Sequence, residues 1–165
     1  MISAIGKAQN SVYDFTLKSI DGKDLPLSQF KGKKLLLVNV ASECGYTPQY
    51  DGLEKLFEKY KDKLVIVGVP ANNFGQQEQG TNEEIKEFCK TNYHVTFYMT
   101  QKVSAKGEDI DPFFKWLIEL PNADFTGDIR WNFEKFLFDE KGNLVHRFRS
   151  KTKPESEEML RAITG

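Results

Sequence analysis

Two wholly apolar runs constrain this chain more than any other feature. Leu35-Leu36-Leu37-Val38 and Leu64-Val65-Ile66-Val67 each read as a strand buried on both faces rather than an alternating, half-solvated one. Between them Tyr50, Leu53, Leu56, Phe57 and Tyr60 recur at helical spacing. A strand, a helix and a second buried strand in that order make a βαβ unit, which closes with parallel strands and a right-handed crossover.

The rest of the chain extends that unit. Asp21-Gly22 is a turn signal between apolar segments at 12–17 and 25–27, predicting a short N-terminal hairpin, and Ser28 can open a single helical turn. Strands are predicted over 34–40 and 64–69, with a helix over 47–60. Thr81-Asn82-Glu83-Glu84 matches a capping box, predicting a helix to about 92. Asp111-Pro112 opens another helix that carries Phe113, Trp116, Leu117 and Leu120 on one face. Segments 133–138 and 144–148 flank a polar turn and predict an antiparallel hairpin. Thr152-Lys153-Pro154-Glu155 starts a last helix. The expected fold class is α/β: a mixed central sheet with flanking helices and an N-terminal hairpin, a thioredoxin-like arrangement.

With 165 residues and no repeat, low-complexity tract or linker, the chain reads as a single domain over 1–165. A net charge of −1 removes the case for a general nucleic-acid or acidic-membrane binder. No stretch approaches the ~20 apolar residues of a membrane span. The first ten residues are too short and polar for a secretory signal, so the expected location is cytoplasmic. Two cysteines are too few for a disulfide-stapled scaffold, and they form neither a CxxC pair nor a His-rich cluster; no metal and no bound cofactor are expected.

Cys44 sits where the first buried strand hands over to a helix. Free N–H groups and the positive end of a helix dipole favour an anion there, and for a thiol that anion is the nucleophilic thiolate. Cysteine is also a common inert core residue, so the position alone leaves catalysis and packing both open. The loop Ala71-Asn72-Asn73-Phe74-Gly75-Gln76-Gln77-Glu78-Gln79-Gly80 opens at the same sheet edge, where ligands bind in open α/β sheets. Its amides can donate hydrogen bonds without bringing charge, although such a composition also suits a solvated loop. Trp131-Asn132-Phe133, placed at the start of a strand, adds an indole N–H and another amide; Trp131 by itself reads as a packing residue.

Together, residues 39–50 around Cys44, Phe74-Gly75-Gln76-Gln77-Glu78 and Trp131-Asn132-Phe133 resemble the three signature segments of the glutathione peroxidase family, in their usual order. The resemblance extends from about 12 to 152. It implies a thioredoxin-like fold and a peroxidatic Cys44 surrounded by Gln77, Trp131 and Asn132. Neutral N–H donors suit that task, because they stabilise a thiolate and a departing oxygen without an acid that reprotonates the sulfur. Neither His94 nor His146 is implied as a base.

Cys89 shares an apolar helix face with Ile85 and Phe88, which alone fits a core residue. Its placement resembles the resolving cysteine of the non-selenium, thioredoxin-dependent members. There it condenses with the oxidised first cysteine, and thioredoxin reduces the resulting disulfide. Closure from a helix requires local unwinding. Ala71 stands where many members carry a third cysteine, Asn73 where Gln is usual and Tyr98 where Pro is usual. The short segment 115–130 lacks the insertion of tetrameric, glutathione-using members, implying a monomer or weak dimer.

The implied activity is reduction of hydrogen peroxide and of organic or lipid hydroperoxides, with thioredoxin as co-substrate. The alternatives are a glutathione-dependent peroxidase, in which Cys89 is dispensable, and a redox relay or peroxide sensor that passes its disulfide to a partner. A peroxiredoxin is disfavoured, since its Pro-x-x-x-Thr-x-x-Cys pattern needs Pro at Leu37 and Thr at Ala41.

Overall fold

The structure, a computed structural model, describes residues 11–165; the reading of the first ten residues lies outside it. A five-stranded mixed sheet carries the molecule. Its strands are β3 (Lys34–Val40), β4 (Leu64–Pro70), β5 (Tyr98–Met99), β6 (Lys135–Phe138) and β7 (Leu144–Phe148), in the spatial order β5-β4-β3-β6-β7. β3, β4 and β5 run parallel, while β6 and β7 are antiparallel additions. A separate two-stranded hairpin is made by β1 (Thr16–Lys18) and β2 (Asp24–Pro26).

Every residue of β3 and β4 is buried, as their unbroken apolar runs require. The alternation of β3 divides the core in two. Leu35 and Leu37 face a cluster containing helix α3 (Pro112–Glu119) and the N-terminal segment. Leu36, Val38 and Val40 face the opposite cluster, built with α1 (Gln49–Lys59), α2 (Asn82–Tyr93) and α4 (Glu157–Thr164). Both cysteines belong to this second cluster.

Several boundaries moved for identifiable reasons. The first apolar segment opens with a 3₁₀ turn over Val12–Asp14, capped by the Ser11 side chain, and only Thr16–Lys18 pairs as a strand. β5 was not anticipated from the sequence; two residues carry no periodicity, and pairing with Val67 and Gly68 defines it. The last helix starts later than predicted. Residues 152–156 form turns, with Ser156 N–H donating to the Lys153 carbonyl, and Ser156 rather than Thr152 caps α4. Thr81 caps α2 as expected.

Topology puts three loops at one edge. The parallel pair β3 and β4 delivers the Cys44 turn and the amide loop to the C-terminal edge, where Ala71 N–H still bonds the Val40 carbonyl at 3.2 Å. Because β6 is antiparallel to β3, with Lys135 opposite Val38, its N-terminal end carries Trp131 and Asn132 to the same edge.

Candidate active site

The turn after β3 is clamped by Thr47. Its hydroxyl donates to the Ala41 carbonyl at 2.8 Å and accepts the Cys44 N–H at 2.9 Å, while its own N–H reaches the Cys44 carbonyl at 3.0 Å. The clamp points the Cys44 sulfur at the next free backbone donor, and Tyr46 N–H bonds Sγ at 3.3 Å. Cys44 is 8% exposed, and its free thiol stands just ahead of α1. Neighbouring Tyr46 is exposed and helps line a cavity of about 760 Å³ between the start of α1 and residues 151–156.

The amide loop is stitched to this turn at two points. Glu43 N–H donates to the Gln77 carbonyl at 3.0 Å. Glu78, 1% exposed, accepts both the Ser42 N–H at 3.1 Å and the Ser42 hydroxyl at 2.5 Å on Oε1. Its second oxygen, Oε2, is buried without a hydrogen-bond partner. Burial lifts the Glu78 carboxyl to about 7, against the opposing pull of the Ser42 bonds and Lys102. Not every loop amide faces the site. Asn72 Oδ1 accepts the Glu78 N–H, and Asn73 is spent on Ser104, Ala105 and Lys106.

Trp131 and Asn132 lie in a turn before β6 rather than in its first strand residues. Phe133 adopts φ 62°, a left-handed conformation that a strand excludes. Asn39, the one polar side chain in the apolar stretch of β3 after Lys34, dictates that turn. Its amide donates to the Trp131 carbonyl at 3.0 Å and accepts the Glu134 N–H at 3.1 Å, and its backbone carbonyl takes the Phe133 N–H at 2.6 Å. Buried Glu134 secures the far side through Arg147 at 3.3 Å and Arg149 at 2.6 Å.

Asn132 then meets Gln77. Asn132 Nδ2 donates to Gln77 Oε1 at 2.9 Å and to the Phe74 carbonyl at 3.2 Å. With Gln77 Oε1 occupied, the Gln77 NH₂ group is left as the available donor. Asn132 Oδ1 is buried and unpartnered. Trp131 is 37% exposed and packs its edge over Gly75; a Cβ there would come within 2.8 Å of the indole, so only glycine fits. The fold therefore gathers Cys44, Gln77, Trp131 and Asn132 around one edge of the sheet. Among the described residues no group of three His, Cys, Asp or Glu side chains could hold a metal ion.

Cys89 stands apart from those loops, on the buried face of α2, and is a free thiol at 2% exposure. Burial raises it to about 11, partly offset by the Tyr50 hydroxyl beside it. His94 ends α2 in a left-handed C-cap and His146 bonds Asp124 at 3.0 Å, so each has a structural place. Sequence reasoning missed Asn39, Ser42, Thr47, Tyr50 and Glu78. A polar residue inside an apolar strand is a readable signal for Asn39, and a Thr three positions after a turn cysteine is one for Thr47. Glu78 carries no signal beyond its place next to Gln77.

Residues 12–118 match the family profile described as glutathione peroxidase. A glutathione peroxidase of Lactococcus lactis is 46% identical over 147 residues, covering 88% of this chain and 94% of its own. A hydroperoxy fatty acid reductase of Synechocystis is 44% identical over 156 residues, covering 90% and 92%. The crystal structure of T. cruzi GPX1 superposes with a TM-score of 0.70 at 32% identity, covering 93% of this chain and 94% of that one. The fold is accordingly thioredoxin-like, and no helix among the described residues is long and apolar enough to cross a membrane. With its cysteine turn, amide loop and Trp-Asn turn assembled at one sheet edge, this chain belongs to the glutathione peroxidase family and is a peroxidase acting on hydroperoxides.

Proposed function

We propose that the protein is a two-cysteine peroxidase that reduces hydrogen peroxide and organic hydroperoxides, lipid hydroperoxides included, and is recycled by thioredoxin. The observation that carries this reading is the pair of free thiols on one face of the sheet, one in a turn that aims a backbone N–H at its sulfur and the other inside a regular helix. The Cys44 thiolate, held by Tyr46 N–H, attacks the terminal peroxide oxygen; the O–O bond breaks, Cys44 becomes a sulfenic acid, and the alcohol or water leaves. The free NH₂ of Gln77 and the indole N–H of Trp131 stabilise the departing oxygen. Asn132 aims Gln77. Exposed Tyr46 and Trp131 give the site an apolar rim that suits a bulky organic hydroperoxide, in keeping with the fatty-acid hydroperoxide named for the Synechocystis relative.

Cys89 then displaces hydroxide from the sulfenic acid as α2 locally unwinds, forming a Cys44–Cys89 disulfide and water. Thioredoxin returns two electrons and two protons. No bound cofactor takes part, a monomer suffices, and a thioredoxin-reduced cytoplasm is the fitting location. Treatment with one equivalent of peroxide followed by non-reducing peptide mapping is expected to show the Cys44–Cys89 disulfide. Cys89→Ser is expected to consume that first equivalent, stall with thioredoxin and accumulate sulfinic acid. Undiminished thioredoxin-driven turnover in Cys89→Ser overturns the reading, and glutathione-driven turnover indifferent to that change favours glutathione as reductant.

A further inference from the structure

The ladder between β3 and β6 stops at Val38 opposite Lys135. Continued in the same register, the two strands would set Asn39 opposite Glu134, Ala41 opposite Asn132 and Ser42 opposite Trp131. Neighbouring side chains of a strand point to opposite faces of its sheet. A longer β6 would therefore send Trp131 to one face and Asn132 to the other. Both instead meet the amide loop: the Trp131 indole lies over Gly75, and Asn132 bonds Gln77 and the Phe74 carbonyl. β6 has to end before residue 134 for this to happen, and the groups that end it belong to Asn39.

Asn39 is fully buried. Its Oδ1 takes the Glu134 N–H at 3.1 Å, its Nδ2 donates to the Trp131 carbonyl at 3.0 Å, and its main-chain carbonyl takes the Phe133 N–H at 2.6 Å. Peptide groups on both sides of Asn132 are thus bound to one residue, which leaves Asn132 free to turn toward Gln77. The diversion requires Phe133 at φ 62°, a conformation that is costly for a side chain with a Cβ. Burial of the Phe133 ring edge-on against Tyr50, at 5.3 Å between centroids, offsets that cost. The other anchors of this turn grip elsewhere. The Glu134 carboxylate holds Arg147, Arg149 and the Arg130 N–H, and none of these bonds touches residues 131–133.

We propose that Asn39 is the positioning residue of the peroxide step: by ending β6 it turns Trp131 and Asn132 together onto the amide loop and fixes both relative to Cys44. The proposal rests on the reading above that these two residues serve that step. The Asn39 side chain bonds the Trp-Asn turn and not the Cys44 segment, so it acts through the residues it places. Cys44 is held independently, by the Thr47 hydroxyl on Ala41 and Cys44 and by Tyr46 N–H on the sulfur. Loss of the Asn39 side chain is therefore expected to misplace the donors and leave the sulfur where it is. The main-chain bond to Phe133 and the β6–β7 ladder do not depend on that side chain.

The test compares two reactions at the same sulfur. Stopped-flow oxidation by hydrogen peroxide uses the donors around the departing oxygen. Alkylation by iodoacetamide, followed at the Cys44 peptide by mass spectrometry, has no departing oxygen. Asn39→Leu is similar in size and removes both side-chain bonds. Asn39→Ser leaves room for water to satisfy the two orphaned peptide groups, and it carries the test if Asn39→Leu does not fold. In either variant peroxide oxidation is expected to slow by on the order of 10²-fold while alkylation stays within about twofold of wild type, the pattern of misplaced donors around an unmoved nucleophile. In a Trp131→Phe/Asn132→Ala protein the same change at Asn39 is expected to cost little more, because its targets are gone. A folded variant oxidised at the wild-type rate overturns the inference. So does an equal loss of both reactions, or a full additional cost in the doubly changed background. A Trp131→Phe/Asn132→Ala protein that is itself oxidised at the wild-type rate removes the donor assignment, whatever Asn39 does.

Discussion

The two cysteines share a core cluster but not a chemistry. Cys44 occupies an irregular turn in which Thr47 fixes the backbone and Tyr46 N–H already meets the sulfur. Cys89 sits inside a regular helix, its backbone groups committed to α2 and its thiol lifted by burial to about 11. On the two-cysteine reading, the first is poised in the resting fold and the second is stored until α2 opens. Burial does not separate them, since both are under a tenth exposed. What differs is whether an N–H points at the sulfur, and that follows from turn against helix: a helix interior spends its N–H groups on its own carbonyls.

The contrast breaks most severely at Cys44. Cys44→Ser is expected to abolish peroxide consumption while leaving the circular dichroism and thermal transition close to wild type, because serine lacks the nucleophilicity without a general base. More than trace activity removes Cys44 from its role. Next in size is Gln77→Ala, expected to lower the second-order rate of Cys44 oxidation by on the order of 10²-fold, the cost of one oxyanion-type donor. Stopped-flow oxidation under single-turnover conditions reads this directly, and a wild-type rate reduces Gln77 to packing. The smallest effect concerns the buried carboxyl of Glu78. Its carboxyl keeps a proton up to about 7 in the folded protein but only to its ordinary 4.5 when unfolded. The native state therefore binds the extra proton between those values, and stability falls as pH rises through that window. The contribution is about 2 kcal/mol between pH 5 and 7, and urea unfolding of Glu78→Gln against wild type is expected to show that much less pH dependence.

The elements read most reliably from sequence were those whose burial is complete. β3 runs over Lys34–Val40 as expected because seven consecutive buried positions leave no other frame. Thr81 and Asp111 marked helix starts through side chains that do cap. β5 and the start of α4 were misplaced because their limits come from tertiary pairing and from turns around Lys153, neither of which leaves a local pattern. The three signature segments were legible as strings, and the fold does bring Cys44, Gln77, Trp131 and Asn132 to one edge. The division of labour among them was not legible. That Asn132 spends its amide protons on Gln77 and Phe74, and that Glu78 is buried with one oxygen unpaired, depends on loops meeting across the sheet.

One feature of the sheet bears on how the protein comes into being. β6 is a central strand, wedged between β3 and β7, yet it is drawn from the last fifth of the chain. An emerging polypeptide can complete the βαβ unit, Cys44 included, while Trp131 and Asn132 are still unmade or held in the ribosomal exit tunnel. On the reading proposed above, such a chain carries the thiol without its donors. Full peroxide reactivity is then acquired late in biosynthesis, at the moment when the β6 hairpin docks.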